Sequence, residues 1–330
     1  METRLGGDRA NGITNQLPFD NAIHIDTIGY AGGLWLLWNS DRVDITLLSK
    51  MEQEINVTSK VCHYNCSWLL FVVYASPRLA KRSILWENLS TLSEMHSLLW
   101  VIAGDFNEPL NDEDKFGGRG VSVNRFMLFK ECLDKCNMLD LGFLGLRFTW
   151  TNRRDVNVFI QERIDRYFVN HDRCAIYLEA RVTHLTRCHS DHCPVLLETL
   201  PSSSTHILRP FKFQSFWLSG PTFPSLVSKE WAPSRKLPMA IEGFTQEAQR
   251  WNKLHFGNIL AKKKPLLARL NGIQRALANG PSSFHIELER KLHRELEVVL
   301  DQERDLWALK SRVNWMILGD RNTAFFHILT

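Results

Sequence analysis

Two short motifs in this chain place oxygen and nitrogen donors where a sheet would open. Gly104-Asp105-Phe106-Asn107 follows the apolar run Val101-Ile102-Ala103, so a carboxylate and a carboxamide leave the mouth of a strand, where α/β sheets commonly carry their function. A polar turn capping the strand accounts for the same tetrapeptide. Ser190-Asp191-His192-Cys193-Pro194 precedes a second apolar run and offers a hard oxygen ligand beside an imidazole. Adjacent residues point to opposite faces of a strand, so a turn has to present Asp191 and His192 jointly. Alone, a loop histidine bonded to backbone is the plainer reading; beside the first motif, a hard-metal phosphate site becomes the better one. In Gln161-Glu162-Arg163-Ile164-Asp165-Arg166, Ile164 between charges suggests a strand with alternating burial. Asp165 has two uses open to it: accepting the proton of His192 and fixing its tautomer, or pairing with Arg163 or Arg166.

The elements that must position these groups are legible as periodicity. Leu34 to Trp38, Trp68 to Tyr74, Leu98 to Ala103 and Val195 to Leu200 are short, nearly continuous apolar runs, the pattern of strands covered on both faces. Leu85, Leu89 and Leu92, and again Phe126, Phe129, Leu133 and Cys136, recur at helical spacing and mark two buried stripes. The first 200 residues therefore predict an α/β architecture with sheet inside helices. Pro201-Ser-Ser-Ser-Thr205 breaks the pattern and is the candidate boundary, followed by a linker over 201–238. From Met239 to residue 330 the chain reads as helical, with Ile241, Phe244, Ala248 and Trp251 on one face and Leu292, Leu296, Val299, Leu306 and Val313 along a long charged segment. Pro265 and Asn279-Gly280-Pro281 are expected to divide it into a helical hairpin or arm.

Composition sets the class. With 330 residues, 44% hydrophobic and 23% charged, the chain can bury a substantial core, as one large domain with an appendage or as two. It has neither a membrane-length apolar run nor a signal-like start, which predicts a nuclear or cytoplasmic protein, not secreted and not membrane-bound. Its seven cysteines read as reduced thiols, and the sequons at Asn56, Asn65 and Asn88 as chance. Residues 1–200 hold 21 Lys/Arg against 25 Asp/Glu, while 201–330 hold 19 against 11. A basic tail behind an acidic head fits a nucleic-acid-handling protein or simply a solvated helix face.

Taken in order, Tyr74 in Val-Val-Tyr-Ala-Ser-Pro, Gly104-Asp105-Phe106-Asn107, Phe148-Thr149-Trp150-Thr151-Asn152-Arg153-Arg154, Arg163-Ile164-Asp165-Arg166 and Ser190-Asp191-His192-Cys193-Pro194 resemble the motifs of the endonuclease/exonuclease/phosphatase family. The opening Met1-Glu2-Thr3-Arg4 resembles that family's metal-binding glutamate motif. The resemblance implies a four-layer α/β sandwich with a C-terminal helical extension. It implies Glu2 and Asp191 as ligands of Mg²⁺, with Mn²⁺ as the alternative. Asp105 would activate or orient the attacking water, and Asn107 would hold that water or the phosphate. Tyr74 and His192 would bind the scissile phosphate, Asp165 would orient the histidine, and Ser190, Thr149 and Asn152 would give secondary contacts. The substrate implied is DNA, cut at a phosphodiester.

A second resemblance covers the tail. Trp251-Asn252-Lys253, His255-Phe256-Gly257-Asn258-Ile259, Ser311-Arg312-Val313-Asn314-Trp315, Gly319-Asp320-Arg321-Asn322-Thr323 and Phe325-Phe326-His327 look like the segment linking endonuclease to reverse transcriptase in plant LINE-type non-LTR retrotransposons. Family members carry a first strand and helix ahead of the glutamate, so the sandwich is expected to lack its first strand, with cleavage weak or absent. Two rivals follow: a noncatalytic nucleic-acid-binding remnant whose basic extension holds DNA or RNA, and a phosphomonoesterase of the same family. Cys188, His189, His192 and Cys193 form no CxxC pair and are discounted as a zinc site. Cys132 and Cys136, one helical turn apart, read as small hydrophobes. Lys262-Lys263-Lys264 read first as a solvated helix end and second as phosphate contacts, and Phe211, Phe213 and Trp217 first as core and second as base-stacking residues. Oligomeric state is not legible in the sequence.

Overall fold

The computed structural model describes residues 3–28, 31–62, 67–95, 98–170, 180–199, 213, 217–218, 222–231, 237–255 and 257–318. The chain forms two compact units, Met1–Ser202 with Gln274–Ile286, and Ser203–Ile273 with Glu287–Thr330. In chain order the first holds α1 (Gly7–Thr14), β1 (Asn21–Ile28), β2 (Ala31–Trp38), β3 (Val43–Met51), β4 (Glu54–Val61), β5 (Ser67–Tyr74), α2 (Leu79–Met95), β6 (Trp100–Asp105), β7 (Lys115–Phe116), α3 (Val123–Lys135), β8 (Met138–Asp140), β9 (Leu144–Gly145), β10 (Trp150–Thr151), β11 (Gln161–Glu162), β12 (Asp165–Asn170), β13 (Arg181–His184) and β14 (Val195–Glu198). The helices α4 (Phe223–Glu230), α5 (Leu237–His255), α6 (Gly257–Asn279) and α7 (Ser283–Leu318) follow.

The centre of the first unit is a six-stranded sheet in the order β3-β4-β5-β6-β12-β8. Only β5 and β6 run parallel, joined across by α2; the other pairings are antiparallel. β5 shows why the sheet is covered twice. Its Leu69, Phe71 and Val73 point to one face, against Leu85, Trp86 and Leu89 of α2 and Phe129, Cys132 and Leu133 of α3. Its Leu70, Val72 and Tyr74 point to the other, where Leu34 and Leu36 of the β1–β2 hairpin meet Ile55 and Val57 of β4. α1 lies against β1, and β14-β13-β9 form a smaller sheet in contact with β12. The layers thus run helix, sheet, sheet, helix, the mixed α/β sandwich expected.

Two sequence expectations need correction. The run from Val195 is not covered on both faces: β14 stops at Glu198 and alternates half-buried with exposed residues, because it belongs to the small sheet. Pro265 does not divide the helical region, since α6 runs through it. The hydrogen bond it cannot donate would go to the carbonyl of Ala261, an exposed position where water can substitute. The second expected break holds, at Gly280-Pro281-Ser282 between α6 and α7, and the ion pairs Lys263–Glu303 (2.6 Å) and Arg269–Glu295 (3.8 Å) set α6 and α7 antiparallel as a hairpin.

In the second unit, Trp217, Phe223, Ala248 and Trp251 make a small core between α4 and α5. The Trp217 indole N–H donates to Asn252 and that of Trp251 to Thr222, so Trp217 is a core residue, not a base-stacking platform. Phe211, the expected boundary 201–205 and the motifs from Gly319 onward lie outside the described residues. Among the described residues no helix is long and apolar enough to cross a membrane.

Candidate functional site

β5, β6 and β12 end in one row. Tyr74 pairs with Asp105 and Asp105 with Asp165, so the three side chains leave the same face of adjacent strands. Gly104 makes this register possible. Its φ is +147°, and a β-carbon there would sit 1.9 Å from the carbonyl oxygen of Val73, so only glycine lets the strands approach. The chain then turns at Asn107 with φ +48°, a left-handed position asparagine tolerates. Asn107 closes the turn by donating its backbone N–H to Asp105 Oδ1 (2.8 Å) and its Nδ2 to the Ala75 carbonyl (2.8 Å) and Asp105 Oδ2 (3.2 Å). Glu108 anchors the next step, buried against Arg82 at 2.6 Å, with Arg125 also in contact at 3.0 Å.

His192 reaches the row from the β13–β14 loop. Its Nδ1 lies 2.8 Å from Asp165 Oδ2 and its Nε2 4.0 Å from Asp105 Oδ2. Asp165 therefore serves His192. Arg163 and Arg166 are occupied elsewhere, Arg163 with Asp140 at 2.8 Å and Arg166 with Asp114 at 2.5 Å and with Asp140. The turn is stitched to β10: Trp150 bridges His192, the Thr151 N–H donates to the Asp191 carbonyl (3.1 Å) and the Cys193 N–H to the Thr149 carbonyl (2.7 Å). Asp191 itself accepts from the Trp150 indole N–H at 3.0 Å, and the Ser190 hydroxyl accepts the His192 backbone N–H.

Two residues assigned secondary phosphate contacts sit differently. Thr149 is fully buried, and its hydroxyl oxygen accepts the backbone N–H of both Ile164 and Asp165 at 3.0 Å. It fixes the carboxylate that fixes the histidine. Asn152 spends its carboxamide on its own loop, donating to the Val158 carbonyl and accepting from the N–H of Arg154 and Ile160. Glu2 lies outside the described residues. Sequence reasoning missed Gln53, whose carboxamide accepts the Ser76 N–H and donates to the Lys81 carbonyl just after Tyr74. It also missed the buried Arg82–Glu108 pair, although Glu108 directly follows the Asn107 turn.

Electrostatics follow from this crowding. Burial, and then the neighbouring Asp165 carboxylate, push Asp105 up to about 7. Burial works against a charged His192, but the hydrogen bond to Asp165 and the charges of Asp165, Asp105 and Asp191 outweigh it and raise the imidazole. Burial likewise opposes ionisation of Asp191, yet the Trp150 N–H and the charges of His192 and Arg153 hold it low. His184 is the contrast: buried, with Nδ1 donating to the Leu146 carbonyl at 2.6 Å, it drops to about 4 and stays neutral. Asp105, Asp165 and His192 present ligand atoms within 4.8 Å of one another. Two carboxylates and an imidazole suit a hard divalent cation or a cationic histidine facing a phosphate.

No protein-family model and no curated protein matches the chain. Solved structures similar to it include the endonuclease domain of TRAS1, a telomere-specific non-LTR retrotransposon, at 14% identity, covering 54% of this chain and 78% of that one with a TM-score of 0.43. Another is the 3′ phosphatase NExo from Neisseria, bound to product DNA hairpin, at 20% identity over 60% and 86% with a TM-score of 0.44. A third is an endonuclease/exonuclease/phosphatase family protein from Bacteroides thetaiotaomicron, at 17% identity over 57% and 78% with a TM-score of 0.36. At this distance the likenesses are no guide to activity.

Proposed function

We propose that this chain is a Mg²⁺-dependent endonuclease of the type carried by plant LINE-type retrotransposons, hydrolysing DNA phosphodiesters with low turnover in the nucleus or cytoplasm. The observation that carries the reading is the line Asp165–His192–Asp105, closed by hydrogen bond on one side and open by 4.0 Å on the other. That gap exceeds a hydrogen bond yet is too short for an atom to lie between, so a phosphate or water oxygen would reach both groups from beside the line. Asp165 holds the imidazole by Nδ1, so Nε2 is the atom aimed at the reacting group. Asp105, held near neutrality, has the basicity of a general base for the attacking water, with Asn107 holding its oxygens in place. Tyr74 stands beside it in the row, and a raised His192 donates to the nonbridging oxygens as negative charge gathers. A bound divalent cation, held by Asp191 with Glu2, would supply Lewis-acid stabilisation of the same charge; the oxygen-rich donor set fits Mg²⁺, with Mn²⁺ as substitute.

Supercoiled plasmid incubated with purified chain and Mg²⁺ or EDTA tests this directly. Mg²⁺-dependent nicking is expected, reduced on the order of a hundredfold to a thousandfold by His192→Ala. A folded sample that does not nick overturns it. The net positive charge of residues 201–330 favours a second reading, a noncatalytic DNA- or RNA-binding protein. DNA binding that weakens steeply with salt yet survives Asp191→Ala, without nicking, would establish that one. Nicking absent while a phosphomonoester is hydrolysed would instead mark a phosphatase.

A further inference from the structure

We infer that Gln274 is a positioning residue for the loop that carries Asp191 and His192. This loop, residues 185–194, is closed at its base by the β13–β14 pairing of His184 with Val195 and by the Leu185 N–H donating to the Pro194 carbonyl at 2.8 Å. Its outgoing limb is tied to β10 by the Thr151 and Cys193 hydrogen bonds. Among the described residues, the incoming limb has no strand beside it in the small sheet. There the side chain of Gln274, in α6, takes the place of one: its Oε1 accepts the Arg187 N–H at 3.0 Å and its Nε2 donates to the Arg187 carbonyl at 2.8 Å.

Both residues are buried, Arg187 at 1% and Gln274 at 2% exposure, so water cannot replace either bond. A carboxamide is the side chain that offers one donor and one acceptor spaced for a peptide group. Arg187 stands five residues before His192, and with both limbs held, the imidazole has a fixed approach to Asp165. Gln274–Ile286 accordingly clusters with residues 1–202. A helix that the sequence presents as tail thus supplies a part of the catalytic unit. The kinetic side of this inference rests on the nuclease reading; the geometric side does not.

The test uses the full chain with two variants. Gln274→Met keeps the volume and removes both bonds; Leu277→Ala cuts packing at a fully buried position of the same helix and leaves the bonds. In EDTA, amide hydrogen exchange at Arg187, Thr151 and Cys193 and the His192 Nδ1–H resonance report the loop, with the His184 ring signal marking an intact fold. Gln274→Met is expected to speed exchange at those amides and lose the His192 resonance, and to lower the kcat of nicking on the order of ten- to a hundredfold, as partners of catalytic groups do, with KM unchanged. Leu277→Ala is expected to lower the melting temperature while keeping the resonance and kcat. Wild-type exchange and resonance in Gln274→Met, or equal loss in Leu277→Ala, overturns the inference. If no variant nicks, wild type included, the nuclease reading fails and the exchange data still decide. Should Gln274→Met not fold, Gln274→Glu retains the acceptor for Arg187 N–H and loses the donor. Faster exchange confined to the loop then supports the inference, and wild-type exchange rejects it.

Discussion

Asp105 sits where its own charge is costly, and the proposed nuclease reading makes use of that cost. Its carboxylate is 3% exposed beside a second carboxylate, and it titrates near 7 against 3.8 for a free side chain. A raised carboxylate contributes its stability in full below the unfolded value and loses it as pH climbs through the folded one. The fold should therefore pay most for Asp105 above pH 7. Asp105→Asn keeps an acceptor for the Asn107 N–H and removes the charge. In EDTA its urea midpoint should match wild type near pH 3.5 and exceed it at pH 8, by an amount equivalent to roughly 4 kcal/mol at most, while nicking falls on the order of a hundredfold to a thousandfold. Equal midpoints at pH 8 would mean that the two carboxylates are not crowded. The positions of Asp105, Asn107 and His192 were legible in the sequence because each stands where a polar turn meets an apolar strand, and that of Asp165 because charges flank Ile164 in a strand-like pattern. Thr149 and Gln53 were not legible in their roles, because each bonds to backbone supplied by another stretch of chain, and no local pattern records that.

At the scale of elements, the site depends on a loop leaning on a two-residue strand. β10 gives Asp191 and His192 their backbone partners, and its Trp150 indole holds the Asp191 carboxylate at 3.0 Å. Trp150→Phe keeps most of the ring and removes the donor. Because this bond is exposed, stability should change by about 0.5 kcal/mol or less, measured by thermal unfolding. The Mg²⁺ concentration for half-maximal nicking should rise about tenfold, the lower end for a lost partner of a metal ligand. An unchanged Mg²⁺ requirement would remove Asp191 from the metal site. Elements with strong apolar periods, β5, β6, α2 and α3, could be read from sequence because burial on a helical stripe or on both strand faces leaves a regular pattern. β3 and β4 could not. Their outward residues, among them Asp44, Thr46, Ser49 and Lys60, interrupt the apolar run, and pairing with a neighbour rather than composition makes them strands.

At the scale of the whole first unit, the two faces of the six-stranded sheet are filled unequally. The helical face carries the dense aromatic core, with Trp86, Phe106, Phe129 and Phe168 in mutual ring contact. The opposite face carries a half-open cleft of about 550 Å³ lined by Leu70, Val72, Val101, Ala103, Tyr167 and Leu197, and also by Asp165 and Cys193. Protein interiors rarely leave voids larger than a water molecule, so added methyl groups on the two faces should act with opposite sign. Ala103 lines the cleft two residues before Asp105 on the same face of β6. Ala103→Val should fill space at no packing cost and gain about 0.8 kcal/mol per methylene equivalent, seen as a higher urea midpoint with an unchanged slope. Val73, fully buried on the helical face, has no such room, and Val73→Ile should cost about 1–3 kcal/mol through overpacking. If both substitutions destabilise alike, the cleft is closed in solution and the apolar wall behind Asp165 is as tightly packed as the helical side.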